Sequence, residues 1–398
     1  METIAQISQF FNDSEDFHGN IKLNENLSSH TTMHVGGEAK IFLEPEDSDS
    51  MIFALNYLIE EKCGFFILGG GSNVIISDAG LPMVISTRKM NKIKLLTEST
   101  ELTEKIQNDE KTSLKKDSLC PPKPYEHSSS GDSLKSRCDF LTLPICEVQI
   151  DSGSSWGSVI SFCKKENLGG FEGFTGLSGT VGGALFMNAT CFGLSACDNL
   201  ISAEYFDSRD GKIHVYEKKE SDWGYKKSPF QFRGSFNNRV SHKSVGARGI
   251  GSDPACGGKT CETGFERVSA KAMPEPLPPF VILSAKFALK PGFDSQKSEQ
   301  CMASRKEKGH FHAPSSGSAF KNDATHGIIA GKVIDECGLK GFSVGGAQIA
   351  PWHGNFIINP EQKATASDIK NLSDQVKRIV LEKKGISLEN EIIFAGVI

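Results

Sequence analysis

The sequence predicts an α+β protein with more than one domain, and three observations support this. At 398 residues the chain exceeds the roughly 100 to 200 residues of a usual domain, so two or three domains are expected. Helical and strand patterns alternate along the first part of the chain. Roughly the last hundred residues have a different texture, with several helices between short strands.

The first unit is predicted from the hydrophobic periodicity of residues 49–86. Apolar residues at Ile52, Leu55 and Leu58 lie on one helical face and predict a helix over 49–63. An apolar strand over 65–68 follows, then the sequence Gly-Gly-Gly-Ser-Asn at 69–73, then strands at 74–76 and 83–86. We interpret this region as an α/β unit that leads into a glycine-rich loop.

The middle block is predicted to contain a strand, a helix, a glycine-rich run and a hairpin. The strand covers 145–150, the helix 155–165 and the glycine-rich run 173–188. Residues 201–207 and 212–216 read as a hairpin across Asp210-Gly211. A strand over 280–289 closes the block.

The C-terminal region is predicted to form a separate α+β unit. Helices are expected over 298–308, 328–337 and 367–384, with Gly338 and Gly385 at the ends of the last two. Short strands are expected at 342–344 and 356–358, and a final strand over 388–396 could return to an earlier sheet.

Two segments interrupt the globular pattern, at 97–139 and 233–279. The first is rich in Ser, Glu, Lys, Thr and Pro, and the second in Gly, Ser, Arg and Lys, so neither can bury enough apolar surface to offset its ordering entropy. We interpret both as insertions. Either could bind a partner, although composition favours a solvated spacer.

Composition argues against several classes of protein. The net charge of -5 leaves no basic excess for a nucleic-acid partner, and no apolar stretch approaches the ~20 residues of a membrane span. The N-terminus lacks the pattern of a signal peptide, so we expect a cytoplasmic protein.

Cysteine usage fits the same compartment. The eleven cysteines are scattered and odd in number, which favours reduced thiols, and Cys163 and Cys337 read as small hydrophobes on helices. No cysteine pair has the spacing or the histidine partners of a zinc site, so we expect no structural metal.

The two glycine-rich segments, 69–73 and 173–188, carry the first functional signal. Glycine lets backbone amides approach a ligand closely, and successive amides in a turn form a concave anion site. Neither segment has the Gly-Lys-Ser/Thr of a P-loop or the Gly-x-Gly-x-x-Gly of a Rossmann site. Together they either clamp a long two-phosphate cofactor or only form tight turns.

Ordered blocks across the chain resemble the UDP-N-acetylenolpyruvoylglucosamine reductase family. They include Leu-Gly-Gly-Gly-Ser-Asn-Val, Gly-Leu-Ser-Gly-Thr-Val-Gly-Gly-Ala, Tyr-Lys-Lys-Ser and Gly-Ser-Ala-Phe-Lys-Asn. The blocks lie at 31–37, 68–74, 176–184 with 187–188, 224–228, 317–322, 330–335, 338–341, 345–348 and 388–391. The resemblance covers nearly the whole chain apart from the two insertions.

The resemblance implies a two-part FAD-binding module of the vanillyl-alcohol-oxidase/PCMH type plus a C-terminal α+β substrate domain. It implies FAD-binding subdomains at 1–88 and 89–293, a UDP-sugar domain at 294–385, and a strand within 386–398 that could rejoin the first subdomain. It also implies bound FAD, NADPH as cosubstrate, a UDP-sugar substrate and a role in peptidoglycan precursor synthesis. Separately from the resemblance, we expect a monomer.

The resemblance also implies roles for individual residues. Ser318 would be the proton donor and Glu391 its partner across the substrate, with Lys226 as the cation beside them. The implied FAD ligands are Gly69, Gly70, Gly71, Ser72, Asn73, Gly176, Ser178, Gly179, Thr180, Gly182, Gly183 and Asn188. The implied substrate ligands are Tyr225, Lys321, Asn322, Gln348, His353 and Asn355.

The chain departs from the family pattern at several of these positions. Lys226 stands where the family carries Arg, and a lysine point charge does not reproduce a planar two-pronged donor. We expect Lys226 to keep the charge with weaker geometric control, unless Arg233 or Arg239 reaches the site. Gly309-His310, Asp323 and Gly354 also replace family residues near the substrate, and Lys332 and Lys340 are either ligands or surface charges.

Two points stay open on the sequence alone. Period two places Glu389 and Glu391 on the same face of a strand, so only the resemblance selects Glu391. His34, His310 and His312 show no pattern that assigns a role.

Two alternative functions also stay open. One is an FAD oxidoreductase of the same fold that acts on another substrate. The other is a catalytically impaired nucleotide-sugar-binding homologue.

Overall fold

The computed structural model describes residues 4–98, 145–231 and 278–397, with the side chains of 97 and 98 excepted. The segments predicted as insertions, 97–139 and 233–279, lie almost entirely outside the described residues, as do Arg233 and Arg239. The seven α-helices of the described part are α1 Ile4–Asp13, α2 Ser48–Glu60, α3 Trp156–Lys165, α4 Val181–Met187, α5 Ser295–Glu307, α6 Ala330–Glu336 and α7 Ala366–Lys384.

The strands are mostly short, with two long ones in the middle of the chain. In order they are β1 Gly19–Asn26, β2 Glu38–Pro45, β3 Phe66–Leu68, β4 Val74–Ile76, β5 Leu81–Ser86, β6 Ile93–Glu98, β7 Cys146–Asp151, β8 Leu168–Gly169, β9 Thr190–Cys191, β10 Leu194–Ser195, β11 Leu200–Asp207, β12 Lys212–Glu217, β13 Phe280–Pro291, β14 Ser315–Ser318, β15 Ser343–Val344, β16 Ala347–Ile349, β17 Phe356–Ile358 and β18 Ile393–Ala395.

The first sheet has the order β1-β2-β5-β3 and mixes antiparallel and parallel pairs. Helix α2 begins where Asp47 accepts a hydrogen bond from the Ser50 amide and buries Met51 and Leu55 against one face of the sheet. The sequence pattern left α1, β1 and β2 unassigned, because the apolar residues of β1 are separated by Asn, Lys and Glu.

The second sheet is antiparallel, with the order β12-β11-β13-β7-β6 and β8 paired to β13. The predicted hairpin of β11 and β12 is confirmed, with Asp207 opposite Lys212. An aromatic cluster of Trp156, Phe171 and Phe174 fills the space beneath the glycine-rich run. These rings share one buried core with Val181 and Leu185 of the run.

The glycine-rich run at 173–188 includes two short helical pieces that the sequence pattern did not predict. Residues Glu172–Phe174 form a 3-10 helix and α4 occupies its second half. Thr180 caps the start of α4, and Val181 and Leu185 bury one face of the helix. Glycine content lowers helix propensity, but this buried face and the caps at both ends stabilise the helix.

The third sheet, β14-β17-β16-β15, is antiparallel and belongs to the C-terminal region. Helix α7 begins with a capping box of Thr365 and Asp368, ends at Gly385, and packs Ile369 and Leu372 into the core of this region.

The final strand is shorter than predicted and returns to the first unit. β18 covers only Ile393–Ala395 and pairs in parallel with β4. The preceding residues instead bond to the segment after β14, where Glu391 donates its amide to the Ala319 carbonyl at 2.8 Å. The strand prediction for 388–392 is therefore wrong, because these residues pair with a loop and not with a sheet. Glu391 and Ile393 line the cavity described below as the chain returns to β4.

None of the helices in residues 4–98, 145–231 and 278–397 is long and apolar enough to cross a membrane.

Candidate active site

A cavity of about 1000 Å³ lies between the first unit, the second sheet and the segment that precedes β14. Both glycine-rich segments line it, together with the start of β13 and residues 310–318. Eleven of the twelve predicted cofactor ligands line this cavity, the exception being Asn188. A volume of this size is at the upper end of the range for small-molecule and cofactor sites.

The two glycine-rich segments touch each other along one wall of the cavity. A Cβ added to Gly70 would lie 2.4 Å from the Gly179 Cα, and one added to Gly69 would lie 2.6 Å from the Thr180 Oγ1. The Ser72 hydroxyl donates to the Ser178 carbonyl at 3.3 Å. Only residues without a side chain permit this approach. The first glycine loop (69–73) and the second glycine loop (176–183) therefore form one continuous backbone surface.

The first loop is also fixed from the N-terminal side. Gly71 adopts a left-handed conformation at φ 65, and its carbonyl accepts a hydrogen bond from the Thr32 amide at 3.0 Å. The Thr32 hydroxyl donates to the Ser315 carbonyl at 2.7 Å. Thr32 therefore connects the first glycine loop to the strand that carries Ser318.

Three buried polar groups that line the cavity have atoms without a hydrogen-bond partner in the described part of the chain. They are the Ser152 and Ser316 hydroxyls and the Nη2 of Arg305. Arg305 is only 6% exposed, and its Nε donates to the Thr175 carbonyl at 2.9 Å beside the second glycine loop. A buried guanidinium with an unused donor favours an anionic ligand in the cavity.

Lys226 and Glu391 form a buried ion pair at the cavity wall. The Lys226 Nζ lies 2.6 Å from the Glu391 Oε1, and the two side chains are 12% and 10% exposed. Burial raises the pKa of Glu391 above its ordinary value, while the charge of Lys226 and its hydrogen bond oppose that rise. The pair therefore holds a carboxyl group of raised proton affinity next to a cation.

Local backbone geometry presents Lys226 to the cavity. Gly224 and Lys227 exchange backbone hydrogen bonds at 3.2 and 3.1 Å, so Tyr225 and Lys226 form the tip of a two-residue turn. Lys226 itself has φ 51, an uncommon conformation for lysine. The Nδ2 of Asn188 donates to the Gly224 carbonyl at 2.8 Å.

Ser318 lies at the end of β14 and lines the same cavity. The pairing of β14 with β17 shifts register between Ser315 and Ser318, and Gly317 in between has φ 74. A bulge of this kind redirects the side chain that follows it. Glu391 is bonded through its amide to the carbonyl of Ala319, so the acid and the serine occupy neighbouring backbone positions.

The structure separates the two glutamates that the sequence could not distinguish. Glu389 is 73% exposed and pairs with Lys321. Glu391 faces the cavity and pairs with Lys226. The prediction that both share one face is wrong, because residues 388–392 do not form a regular strand.

None of the six predicted substrate ligands is among the residues that line this cavity. Tyr225 is exposed, and its hydroxyl accepts a hydrogen bond from the Asn322 amide at 3.3 Å. The Asn322 Oδ1 accepts from the Ala330 amide at 3.0 Å, and the Gln348 amide group donates to the Gly341 carbonyl at 3.1 Å. Tyr225, Asn322 and Gln348 therefore already have hydrogen-bond partners within the protein.

Asn355 has an internal structural role. It is buried, and its side-chain amide exchanges two hydrogen bonds with the backbone of Phe320, at 2.8 and 2.9 Å. Those bonds leave little capacity for a substrate contact. The Nδ1 of His353 accepts from the Asn355 amide at 3.2 Å, and burial lowers the pKa of His353.

The cavity wall includes polar residues to which sequence reasoning gave no role, among them Arg305, His310 and Ser152. Burial, with a smaller contribution from the charge of Arg305, lowers the pKa of His310 to about 4, so its imidazole is neutral at pH 7. Arg305 lies on a helix whose polar sequence reads as a solvated face, and no local signal marked it.

Lys332 and Lys340 lie outside the cavity and pair with acidic neighbours. Asp207, Asp210 and His214 place ligand atoms within 4.8 Å of one another at the β11–β12 hairpin. Arg209 already binds the Asp207 carboxylate there, and we assign no metal to this group.

Fold and cavity together define an α+β protein whose cavity suits a large small-molecule ligand held between the two glycine-rich segments. Residues 309–395 match the family model described as UDP-N-acetylenolpyruvoylglucosamine reductase, C-terminal domain. A UDP-N-acetylenolpyruvoylglucosamine reductase from Treponema denticola is 34% identical over 95% of this chain and 94% of its own length. Another from Borreliella burgdorferi is 30% identical over 94% of this chain and 93% of its own length. The chain belongs to the UDP-N-acetylenolpyruvoylglucosamine reductase family.

The fold agrees with this assignment. The crystal structure of UDP-N-acetylenolpyruvylglucosamine reductase from Thermus caldophilus superposes with a TM-score of 0.56, at 24% identity, over 95% of this chain and 99% of that one.

Proposed function

We propose that the protein reduces UDP-N-acetylglucosamine enolpyruvate to UDP-N-acetylmuramate, with NADPH as reductant and FAD as the bound cofactor. The proposal follows from family membership together with one observation. A buried lysine–carboxylate pair and a serine line the same cavity as two glycine-rich backbone loops. This arrangement suits the addition of a hydride and a proton across an activated double bond.

The residues that line the cavity suit FAD. The loops at 69–73 and 176–183 offer backbone amides in a wall that a Cβ would obstruct, and Arg305 offers an unused buried donor to a phosphate. We assign the cofactor ligands to these loops, with Asn188 as an exception discussed below. When bound, FAD supplies the hydride for the reduction.

Ser318 is proposed to give the proton. Reduction of an enolpyruvyl ether adds a hydride to one alkene carbon. The double-bond electrons move to the other alkene carbon, which bears the carboxylate, and form an enolate. The Ser318 hydroxyl then protonates the adjacent carbon. A serine hydroxyl is a weak acid, so the step depends on a strongly basic enolate and on return of a proton to Ser318.

Lys226 and Glu391 are proposed to stabilise that enolate. The Lys226 ammonium offers a positive charge near the developing negative charge, and the Glu391 carboxyl group, 2.6 Å from its Nζ, holds that ammonium at the cavity wall. Both groups are already desolvated, so their electrostatic effect is larger than it would be in water.

The substrate's UDP-sugar is proposed to extend past Lys226 toward Tyr225, Lys321, Asn322, Gln348 and His353. Tyr225 and Asn322 already touch across the boundary between the middle and C-terminal parts of the chain. The cytoplasmic location and the monomeric state remain predictions from the sequence.

The decisive experiment measures NADPH oxidation that depends on UDP-N-acetylglucosamine enolpyruvate. We expect a yellow protein with flavin absorption bands, turnover with this substrate, and a loss of at least about 100-fold in kcat for Ser318→Ala. Ser161→Ala, at an exposed serine of α3 outside the cavity, is the matched control. A yellow protein that ignores this substrate would support an oxidoreductase for another substrate. A protein that stays colourless after incubation with FAD would contradict both the proposed function and an FAD oxidoreductase for another substrate.

The same preparation tests Lys226. Because Lys226 is paired at 2.6 Å in a buried site, we expect Lys226→Arg to lower turnover, since the larger guanidinium does not fit the existing contact with Glu391. Higher turnover for Lys226→Arg would show that lysine is an imperfect replacement for the family arginine.

A further inference from the structure

We propose that Asn188 and Asn73 are positioning residues that tie the Lys226–Glu391 pair to the two glycine loops. The proposal rests on the catalytic role given to that pair in the proposed function. It assigns Asn188 a role other than the cofactor contact expected from sequence.

Asn188 lies directly behind the turn that carries Lys226. It is 3% exposed, does not line the cavity, and ends α4 in a left-handed conformation at φ 42. Its Nδ2 donates to the Gly224 carbonyl at 2.8 Å. Since Gly224 and Lys227 close the two-residue turn, this bond fixes the base of the loop whose tip is Lys226.

A second bond attaches the same turn to the same helix. The Ser228 hydroxyl donates to the Phe186 carbonyl at 2.8 Å, one residue before the end of α4. The Lys226 turn is therefore held by α4 on both sides, and α4 begins within the second glycine loop.

Asn73 holds the other half of the pair in a corresponding way. It is the last residue of the first glycine loop, and its Nδ2 donates to the Glu391 carbonyl at 3.1 Å. The Asn73 carbonyl accepts from the Ile393 amide at 3.0 Å. The backbone of Glu391 is thus attached to the first loop, as the backbone next to Lys226 is attached to the second.

The hydrogen bonds of Asn188 and Asn73 therefore connect the two glycine loops to Lys226 and Glu391. The 2.6 Å contact between Lys226 and Glu391 joins elements far apart in sequence, and each amide fixes one side of it. Displacement of a catalytic group by about 1 Å can lower a rate by roughly 100-fold. Asn188 therefore acts through the residues it holds, and Asn73 has this positioning role in addition to its place in the cofactor loop.

The alternative is that Asn188 acts only as the C-terminal cap of α4. Substitution with glycine distinguishes this capping role from the positioning role. Glycine adopts the left-handed conformation at least as readily as asparagine but has no side-chain amide. Asn188→Gly therefore keeps the cap and removes the bond to Gly224. Asn188→Asp keeps the shape and replaces the donor with an acceptor.

The test is a double-mutant cycle on the FAD-loaded enzyme. We expect Asn188→Gly and Asn188→Asp to lower kcat about 10-fold or more with little change in KM. In a Lys226→Met background the same changes should have no further effect on kcat. Asn24→Gly, at an exposed left-handed asparagine, is the control and should leave kcat unchanged. Additive losses in the cycle would overturn the proposal.

The corresponding cycle for the first loop combines Asn73→Ser with Glu391→Gln. We expect the two losses in kcat to be far from additive there as well. Fully independent losses would remove Asn73 from the proposal.

A measurement independent of turnover separates this inference from the proposed function. Acylation of the Lys226 amine, followed by mass spectrometry, should be slow in the wild-type holoprotein and several-fold faster in Asn188→Gly, because the turn no longer holds the amine against Glu391. Unchanged labelling would contradict the positioning role. If the wild type ignores the enolpyruvyl substrate but the labelling changes as expected, the proposed function fails and the positioning role stands.

Discussion

Glu391 shows how the environment of one residue sets its chemistry. Desolvation raises the pKa of its carboxyl group above the ordinary value of 4.5, and Lys226 at 2.6 Å opposes this without cancelling it. The sequence could not separate Glu391 from Glu389, because both follow the same alternation. Only the contact of residues 389–391 with the segment after β14 makes one carboxylate buried and the other exposed.

This burial predicts a pH dependence of stability. A carboxyl group whose pKa is raised on folding contributes stability at low pH, and that contribution is lost as the pH rises from about 4.5 through the raised folded value. We therefore expect the free energy of unfolding of Glu391→Gln to rise relative to that of the wild type as the pH increases from about 4.5 toward neutrality. Urea unfolding of both proteins across this range measures the effect.

Two variants complete that experiment. Glu389→Gln, at the exposed glutamate, should show no such trend. Lys226→Met should raise the pKa of Glu391 further and shift the dependence to higher pH, because the opposing positive charge is gone. A flat difference between wild type and Glu391→Gln across the range would contradict the assignment.

At the scale of elements, contact between the two glycine loops decides the shape of the cavity. The sequence identified both loops, since glycine clusters are visible without a structure. It did not reveal α4, because the helix is short and glycine-rich and is stabilised by caps and by burial of Val181 and Leu185. Nor did it show that the loops face each other, since they are about a hundred residues apart.

A single methyl group should disturb this contact. In Gly70→Ala the added Cβ would lie 2.4 Å from the Gly179 Cα, a backbone atom that cannot move without shifting the second loop. We expect a loss of about 1–3 kcal/mol in the free energy of unfolding and weaker FAD binding. Flavin fluorescence titration and urea unfolding measure the two effects.

Gly157→Ala is the matched control for that change. Its added Cβ would make only an ordinary contact, 3.7 Å from the Ser155 Oγ, inside α3. Alanine is the better helix former, so this variant should be as stable as the wild type or slightly more so. Equal behaviour of the two variants would mean that the loops can separate without cost.

At the scale of the whole molecule, the C-terminal region is attached to the first unit at several points. β18 pairs with β4, Thr32 binds the Ser315 carbonyl, and Asp78 binds the start of α7. The Asp78 carboxylate accepts from the Ala366 amide at 2.7 Å and from the amide and hydroxyl of Ser367, each at 3.1 Å. These contacts hold Ser318 and Glu391 against the glycine loops.

Removal of the Asp78 contact should loosen this attachment. We expect Asp78→Ala to cost about 1–3 kcal/mol in the free energy of unfolding, because it removes hydrogen bonds to a charged acceptor at a helix start. Asp49→Ala, at an exposed acid in the first turn of α2, should cost less. Equal losses would show that the contact contributes only a general helix-terminus effect. Urea unfolding measures both variants.

The sequence by itself determined the class of fold, most helices and strands within a few residues, both glycine loops, and the identity of Lys226, Ser318 and Glu391 as candidates. The fold class, the elements and the loops follow from local periodicity and glycine clusters, and the three candidate residues follow from the resemblance of ordered motifs to the reductase family. Only the tertiary structure decided that Lys226 pairs with Glu391, that Asn188 faces the Lys226 turn, and that Arg305 lines the cavity with an unused donor. Such contacts join residues far apart in the chain, so burial and distance, which no local pattern contains, determine them.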